Sequence, residues 1–171
     1  MKRMMSLALF VVLLGGAVQA QQTSFQDSLL DRMTGKWMLQ GTIAGQNTTH
    51  DVTVEWVLAH NYLQIHEVSR EKDVQGAARY EAIVYIGWDK PTKQYQCLWL
   101  DLTMGGGLSA QAIGHGKRDG DRIPFLFKGV DGSLFHTTFA YDKSTDTWQW
   151  LMDGEENGKP QPFARLKLTR E

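Results

Sequence analysis

Residues 122–141 read RIPFLFKGVDGSLFHTTFAY, two runs of alternating side chains on either side of an Asp131-Gly132 pair. A period of two puts Ile123, Phe125 and Phe127 on one face of the first run. The same period puts Phe135, Phe139 and Tyr141 on one face of the second, the pattern of strands with one side buried. Asp-Gly tolerates the positive φ that a two-residue hairpin requires, so the stretch is expected to fold as an antiparallel hairpin about that pair.

The same pattern runs outward in both directions. Val52, Val54, Trp56 and Leu58 share one parity, as do Trp148, Trp150 and Met152. Turn residues recur about every 8 to 12 positions, as in barrels and sandwiches. Ten strands are expected, at 37–44, 49–58, 62–70, 78–88, 94–102, 108–117, 122–130, 133–141, 147–153 and 163–169. The links are too short for crossover helices, so neighbours pair antiparallel and the fold class is all-β, an up-and-down antiparallel barrel. The runs at 80–88 and 94–102 are apolar on both faces. Something must cover their outside, either the N-terminal helix or a second subunit in a homodimer.

Ahead of the strands, Phe25, Leu29, Leu30 and Met33 fall at helical spacing, and a short amphipathic helix is expected to end at Thr34-Gly35. Further upstream, Lys2 and Arg3 precede the apolar run Leu7 to Leu14 and a small-residue site ending at Ala20. That is the form of a secretory signal peptide, with cleavage after Ala20 and release into the periplasm or the medium. The organisation is then 1–20 leader, 21–34 lead-in and short helix, and 35–171 a single barrel domain. The apolar run is shorter than the roughly 18 residues of a spanning helix, so no membrane insertion is expected. Cys97 is the only cysteine in the chain, which excludes an internal disulfide. Without Lys2 and Arg3 the chain carries 16 basic and 19 acidic side chains, a formal charge of −3. With no basic block, nucleic acid and anionic lipid are set aside as partners.

The helix-to-strand junction Gly35-Lys36-Trp37, followed by a long β-meander, resembles the calycins, the superfamily of lipocalins, fatty-acid-binding proteins and nitrobindins. In lipocalins a Gly-x-Trp here lays the tryptophan across the barrel bottom, and an arginine of the last strand packs over it. The resemblance implies that role for Gly35 and Trp37, with Arg170 or Arg165 as the arginine. Tyr85-Ile86-Gly87-Trp88-Asp89, the turn 89–95 and Trp99-Leu100-Asp101 are similar to a bacterial family of secreted calycin-like domains of unknown function. That likeness spans most of residues 30–170. It implies a small apolar ligand in the barrel. Haem-binding nitrobindins use a histidine near the C-terminus, and 163–171 contains none, so haem is disfavoured and no cofactor is expected.

Read from the residues alone, Trp56, Trp99, Phe125, Phe127, Trp148 and Trp150 either line an apolar cavity or fill the core. In the first case Tyr80 or Arg165 orients a polar end of the ligand. His60 and His66 lie about 20 Å apart along an extended strand and cannot share a metal. No His-x-x-x-His, paired-Cys or Glu-x-x-His spacing supports a metal centre. Asp101 is either a carboxylate at a barrel mouth or a strand-end turn residue. Cys97, mid-strand, reads as an inert buried thiol. Residues 103–107, with three glycines, read as a lid or a plain flexible link. The leading expectation is a binding protein for a small apolar molecule. A filled barrel that presents Tyr80 to Leu102 as an interaction face is the second. An enzyme, a hydrolase or isomerase working through Asp101, Glu67 or His66, is the third.

Overall fold

The computed structural model of the chain describes residues 25–103 and 108–171. The expected leader and most of the glycine segment lie outside the described residues. Ten strands follow one another: β1 (Gly35–Ile43), β2 (Gln46–Val57), β3 (Tyr62–Ser69), β4 (Glu81–Asp89), β5 (Gln94–Asp101), β6 (Ile113–Gly116), β7 (Arg122–Lys128), β8 (Leu134–Asp142), β9 (Thr147–Glu156) and β10 (Lys159–Arg170). Each pairs antiparallel with the next, and β1 pairs with β10 from Trp37↔Arg170 to Ile43↔Ala164, so the sheet closes into a barrel. The all-β meander barrel is thus the fold the alternation called for.

Several local expectations need correction. Only Ile113–Gly116 of the run 108–117 is strand, and a 3-10 turn, Ala110–Ala112, precedes it. Both inward positions of β6 are glycine. A Cβ on Gly114 would meet the Phe127 ring at 2.6 Å, so this short strand makes room for a neighbouring aromatic. The hairpin at 131–132 is not a two-residue turn, because of that pair only Gly132 takes positive φ. The chain instead turns over Gly129–Gly132 and closes with Gly129 N–H donating to Ser133 O. The last strand begins at Lys159, not at 163, and carries a bulge between Pro162 and Ala164, where proline cannot donate to the ladder.

The helix is shorter than its pattern suggests. Only α1 (Ser28–Asp31) is α-helical, because Asp27 takes the N-cap and its Oδ1 accepts from the N–H groups of Leu29 and Leu30. Asp27 also receives the Tyr95 hydroxyl and lies 3.4 Å from Arg118 Nη1, which ties the cap to β5 and the β6–β7 turn. Leu29, Leu30 and Met33 are fully buried. The segment stoppers one end of the barrel instead of covering the outside of β4 and β5. Phe25 stacks on Trp88 and meets Trp56 and Tyr95 edge-on at that end.

Trp37 belongs to the same closure. Its Nε1 donates to Met33 O at 2.7 Å, and the Arg170 guanidinium lies 4.0 Å above its ring. Arg165, the other arginine considered for this place, faces outward on β10. Above Trp37 the interior is packed by Leu39, Ile65, Val84, Ile86, Phe125, Phe139, Trp148, Trp150 and Leu168. Outside the barrel, Ile83 and Leu100 and then Tyr85 and Leu98 pair across β4 and β5 as half-buried apolar neighbours.

Two backbone features make checkable claims. Gly41 has φ +151, and a Cβ there would lie 2.1 Å from Arg165 O, so the β1–β10 seam tolerates no side chain at that point. Gly41→Ala should cost at least about 2 kcal/mol in urea unfolding, by clash and strain. Between β2 and β3, Leu58, Ala59 and His60 all take left-handed φ of 50, 54 and 64. Relieving one of them with Ala59→Gly should raise stability by about 0.5–1 kcal/mol, the strain released less the entropy added to the unfolded chain. A loss of stability would contradict this turn geometry.

Candidate functional site

Among the described residues, the barrel is filled at the helix end and open at the other. Two adjoining cavities occupy the open half, about 590 Å3 and about 460 Å3, and Trp99, Asp101 and Met152 belong to the walls of both. The larger is mainly apolar, walled also by Phe127, Phe135, Leu108 and Thr137. The smaller is equally apolar over most of its lining, but His50, Glu67, Ser69 and Tyr80 bring polar groups together on its inner wall, and Glu71 and Arg79 stand nearer its mouth.

Alternation explains how these side chains arrive. His50 continues the inward parity of Val52 and Val54 on β2, and Glu67 that of Leu63 and Ile65 on β3. In the register His50 faces Ser69 and Glu67 faces Val52, so the two are diagonal neighbours on the inner face. His50 Nδ1 meets Glu67 Oε1, and both residues are 1 % exposed, which makes this a buried pair. His50 Nε2 lies 2.6 Å from Thr48 Oγ1, and Thr48 Oγ1 lies 3.2 Å from Glu71 Oε2. A continuous hydrogen-bonded chain therefore runs from the inner wall to the mouth, and it can pass a proton from Glu67 to Glu71. His50 also stacks on Tyr80, with centroids 5.7 Å apart.

A second network sits beside it. Trp99 Nε1 donates to the Tyr80 hydroxyl at 3.2 Å, and that hydroxyl donates to Asp101 Oδ2 at 3.3 Å. Asp101 Oδ1 accepts from Thr103 N at 2.8 Å and Oγ1 at 2.5 Å, so Asp101 is both the strand-end turn residue and part of the cavity mouth. Burial pushes the Tyr80 phenol well up, and the Glu67 carboxylate beside it adds to the shift. Burial likewise holds Glu67 above its usual 4.5, against the pull of His50. At Glu71 burial is outweighed by hydrogen bonds from its own and the Thr49 N–H and from Thr48, which hold it below 4.5.

Of the residues expected at a ligand site, Tyr80, Trp99 and Phe127 line the cavities. Phe125, Trp148 and Trp150 do not, because they pack fully buried in the filled half. Trp56 is at the helix end, where its Nε1 donates to Asp31 Oδ1 and its ring stacks on His60. Arg165 lies on the outer face, bonded to Asp153 and to the carbonyls of Met152 and Ala164. His66 is also outside, 2.7 Å from Glu81 Oε1, and does not accompany Glu67. Cys97 is buried, and burial raises its thiol. Among the described residues no group of three His, Cys, Asp or Glu could hold a metal ion. Sequence reasoning passed over His50, although its even spacing with Val52, Val54 and Trp56 placed it on the inner face.

His50→Ala tests the buried pair. Removing one partner costs about 3–5 kcal/mol. The remaining carboxyl, raised by burial and no longer opposed by His50, holds its proton more tightly in the folded chain than in the unfolded one. Its penalty is therefore absent below the unfolded value and grows as pH rises toward the folded one. The deficit of His50→Ala against wild type in urea unfolding should be larger near about pH 8 than near about pH 4.5. A pH-independent deficit would contradict a buried, burial-raised Glu67. Compared with known proteins, the chain matches no family model and no curated relative.

Proposed function

We propose that this chain is an exported, calycin-like barrel, released after cleavage following Ala20, that binds one small and largely apolar molecule in the open half of its interior. The observation that carries the reading is the uneven filling of the barrel. Large aromatic side chains pack the helix end solid, while two cavities of ligand size meet at Trp99, Asp101 and Met152 in the other half. Small-molecule sites commonly have this form, a concave and mostly apolar wall of about 300–1,000 Å3 with a few polar groups converging on it. Both cavities suit the apolar body of a ligand, and the polar groups gathered on the inner wall of the smaller one suit its head. Nothing in this reading needs a cofactor, a nucleic acid or a membrane.

The test is direct. Protein from its native host is examined by native mass spectrometry for a retained small molecule. The emptied protein is then titrated with fatty acids, aromatic compounds, alkylamines and haem, with Trp99 fluorescence as the readout. One-to-one binding is expected, weakened at least about tenfold by Met152→Trp, a loss of about 1.4 kcal/mol. That substitution puts an indole where the two cavities join. Binding by no probe, and no retained molecule, would overturn the reading and leave the barrel as an interaction module.

A further inference from the structure

Around the inner wall of the smaller cavity, every side-chain donor among the described residues is already committed. Trp99 Nε1 donates to the Tyr80 hydroxyl, and the Tyr80 hydroxyl donates to Asp101. Ser69 Oγ donates to Glu71 O at 2.8 Å. The His50 ring nitrogens both have partners, Glu67 on one side and Thr48 on the other. If both ring nitrogens carry protons, His50 donates both ways and the Thr48 hydroxyl donates to Glu71. If Nε2 is bare, the Thr48 hydroxyl donates to it. With Glu67 ionised, either arrangement leaves no N–H or O–H of that chain for a ligand.

The acceptors are a different matter. Glu67 belongs to the cavity wall, and its Oε2 is buried and has no hydrogen-bond partner among the described residues, although Oε1 of the same carboxyl is bonded to His50. An acceptor left unmet away from water is costly, by about 1–3 kcal/mol. Asp101 turns its carboxylate to the same space, and among the described residues its Oδ2 holds only the long bond from Tyr80, leaving a further lone pair. The charged groups facing the cavity are the carboxylates of Glu67, Asp101 and Glu71, the committed His50, and Arg79, which is exposed at the mouth. The indole of Trp99 and the ring of Tyr80 add aromatic faces, which favour a cation beside them.

Resting on the proposed binding function, we infer that the inner wall of the smaller cavity takes the head of a cationic, hydrogen-bond-donating ligand: an amine carried on an apolar alkyl or aryl body, its nitrogen donating to Glu67 Oε2 and shared with Asp101. Carboxylate and phosphate heads are selected against. They would bring acceptors to an inner wall whose donors are already committed, and negative charge to a cavity lined by three acidic side chains with Arg79 only at its mouth. The apolar body extends past Met152 into the larger cavity, toward Phe135.

Octylamine, octanol and octanoate share one apolar body and differ in the head. Calorimetric titration of the full chain with each, at one pH and ionic strength, should rank octylamine about ten- to a hundredfold above octanoate, the value of one charged hydrogen bond. Octanol should fall between them. Glu67→Gln keeps the size and the bond toward His50 but removes the charge, and should bring octylamine down to the level of octanol. Asp101→Asn, at the mouth, should reduce the preference part of the way. The ranking in wild type needs no variant, so a Glu67→Gln protein that fails to fold leaves the inference falsifiable. Equal affinity for all three heads would mean that water alone meets Glu67 Oε2. Tighter binding of octanoate would mean that Oε2 carries a proton and donates. Either result overturns the amine inference and leaves the binding function standing, whereas failure of all three ligands to bind overturns both.

Discussion

The pairing of β1 with β10 is the contact on which the rest of the molecule depends. It joins the two ends of the described chain, brings Trp37 beside Arg170, and converts a ten-strand meander with two open edges into a barrel with none. Only after closure does "inward" define a single enclosed space, so the interior packing, the plug and the cavities all follow from that seam. Gly41 shows how close the seam runs, since Arg165 O occupies the place a β-carbon would take.

Closure also forces the two ends of the barrel to be solved differently. At one end Phe25, Leu29, Leu30 and Met33 supply an apolar stopper, with Asp27 capping the helix and receiving the Tyr95 hydroxyl so that the buried turn has its polar groups met. Three indoles and two phenylalanines above the stopper fill the width of the barrel. Trp148 and Trp150 do so without a partner for their Nε1 atoms among the described residues, so packing volume has been favoured over a satisfied donor at both positions. At the open end Ser69, Ala82 and Thr137 are small or polar inward residues, and the space they leave beside Trp99, Phe127, Phe135 and Met152 is the cavity.

The buried His50–Glu67 pair is an uncommon choice for that space. An apolar pair of the same volume would stabilise such a barrel as well or better, since desolvating two ionisable groups consumes most of their attraction. What an apolar pair lacks is a hydrogen-bonded route from Glu67 through Thr48 to Glu71, and an acceptor held rigidly on the cavity wall. Both features concern what enters the barrel and contribute little to holding it together.

The sequence by itself determined the class of fold, the number of strands and, in the strands with one apolar face, most of the residues that face inward, because alternation and turn chemistry are local properties of the chain. It placed Gly35 and Trp37 at the helix-to-strand junction and read Cys97 as a buried thiol for the same reason. It also held the signal that His50 faces inward, through the spacing of His50, Val52 and Val54. Only the tertiary structure decided how far along the barrel axis each inward residue lies. That height follows from the registers of β2 with β3 and of β9 with β10, which no single strand encodes. Hence Trp148 and Trp150 became core while Trp99 became cavity wall, although all three are inward tryptophans. Likewise Glu67 gained His50 from the neighbouring strand, and its own neighbour in the chain, His66, was turned to the opposite face.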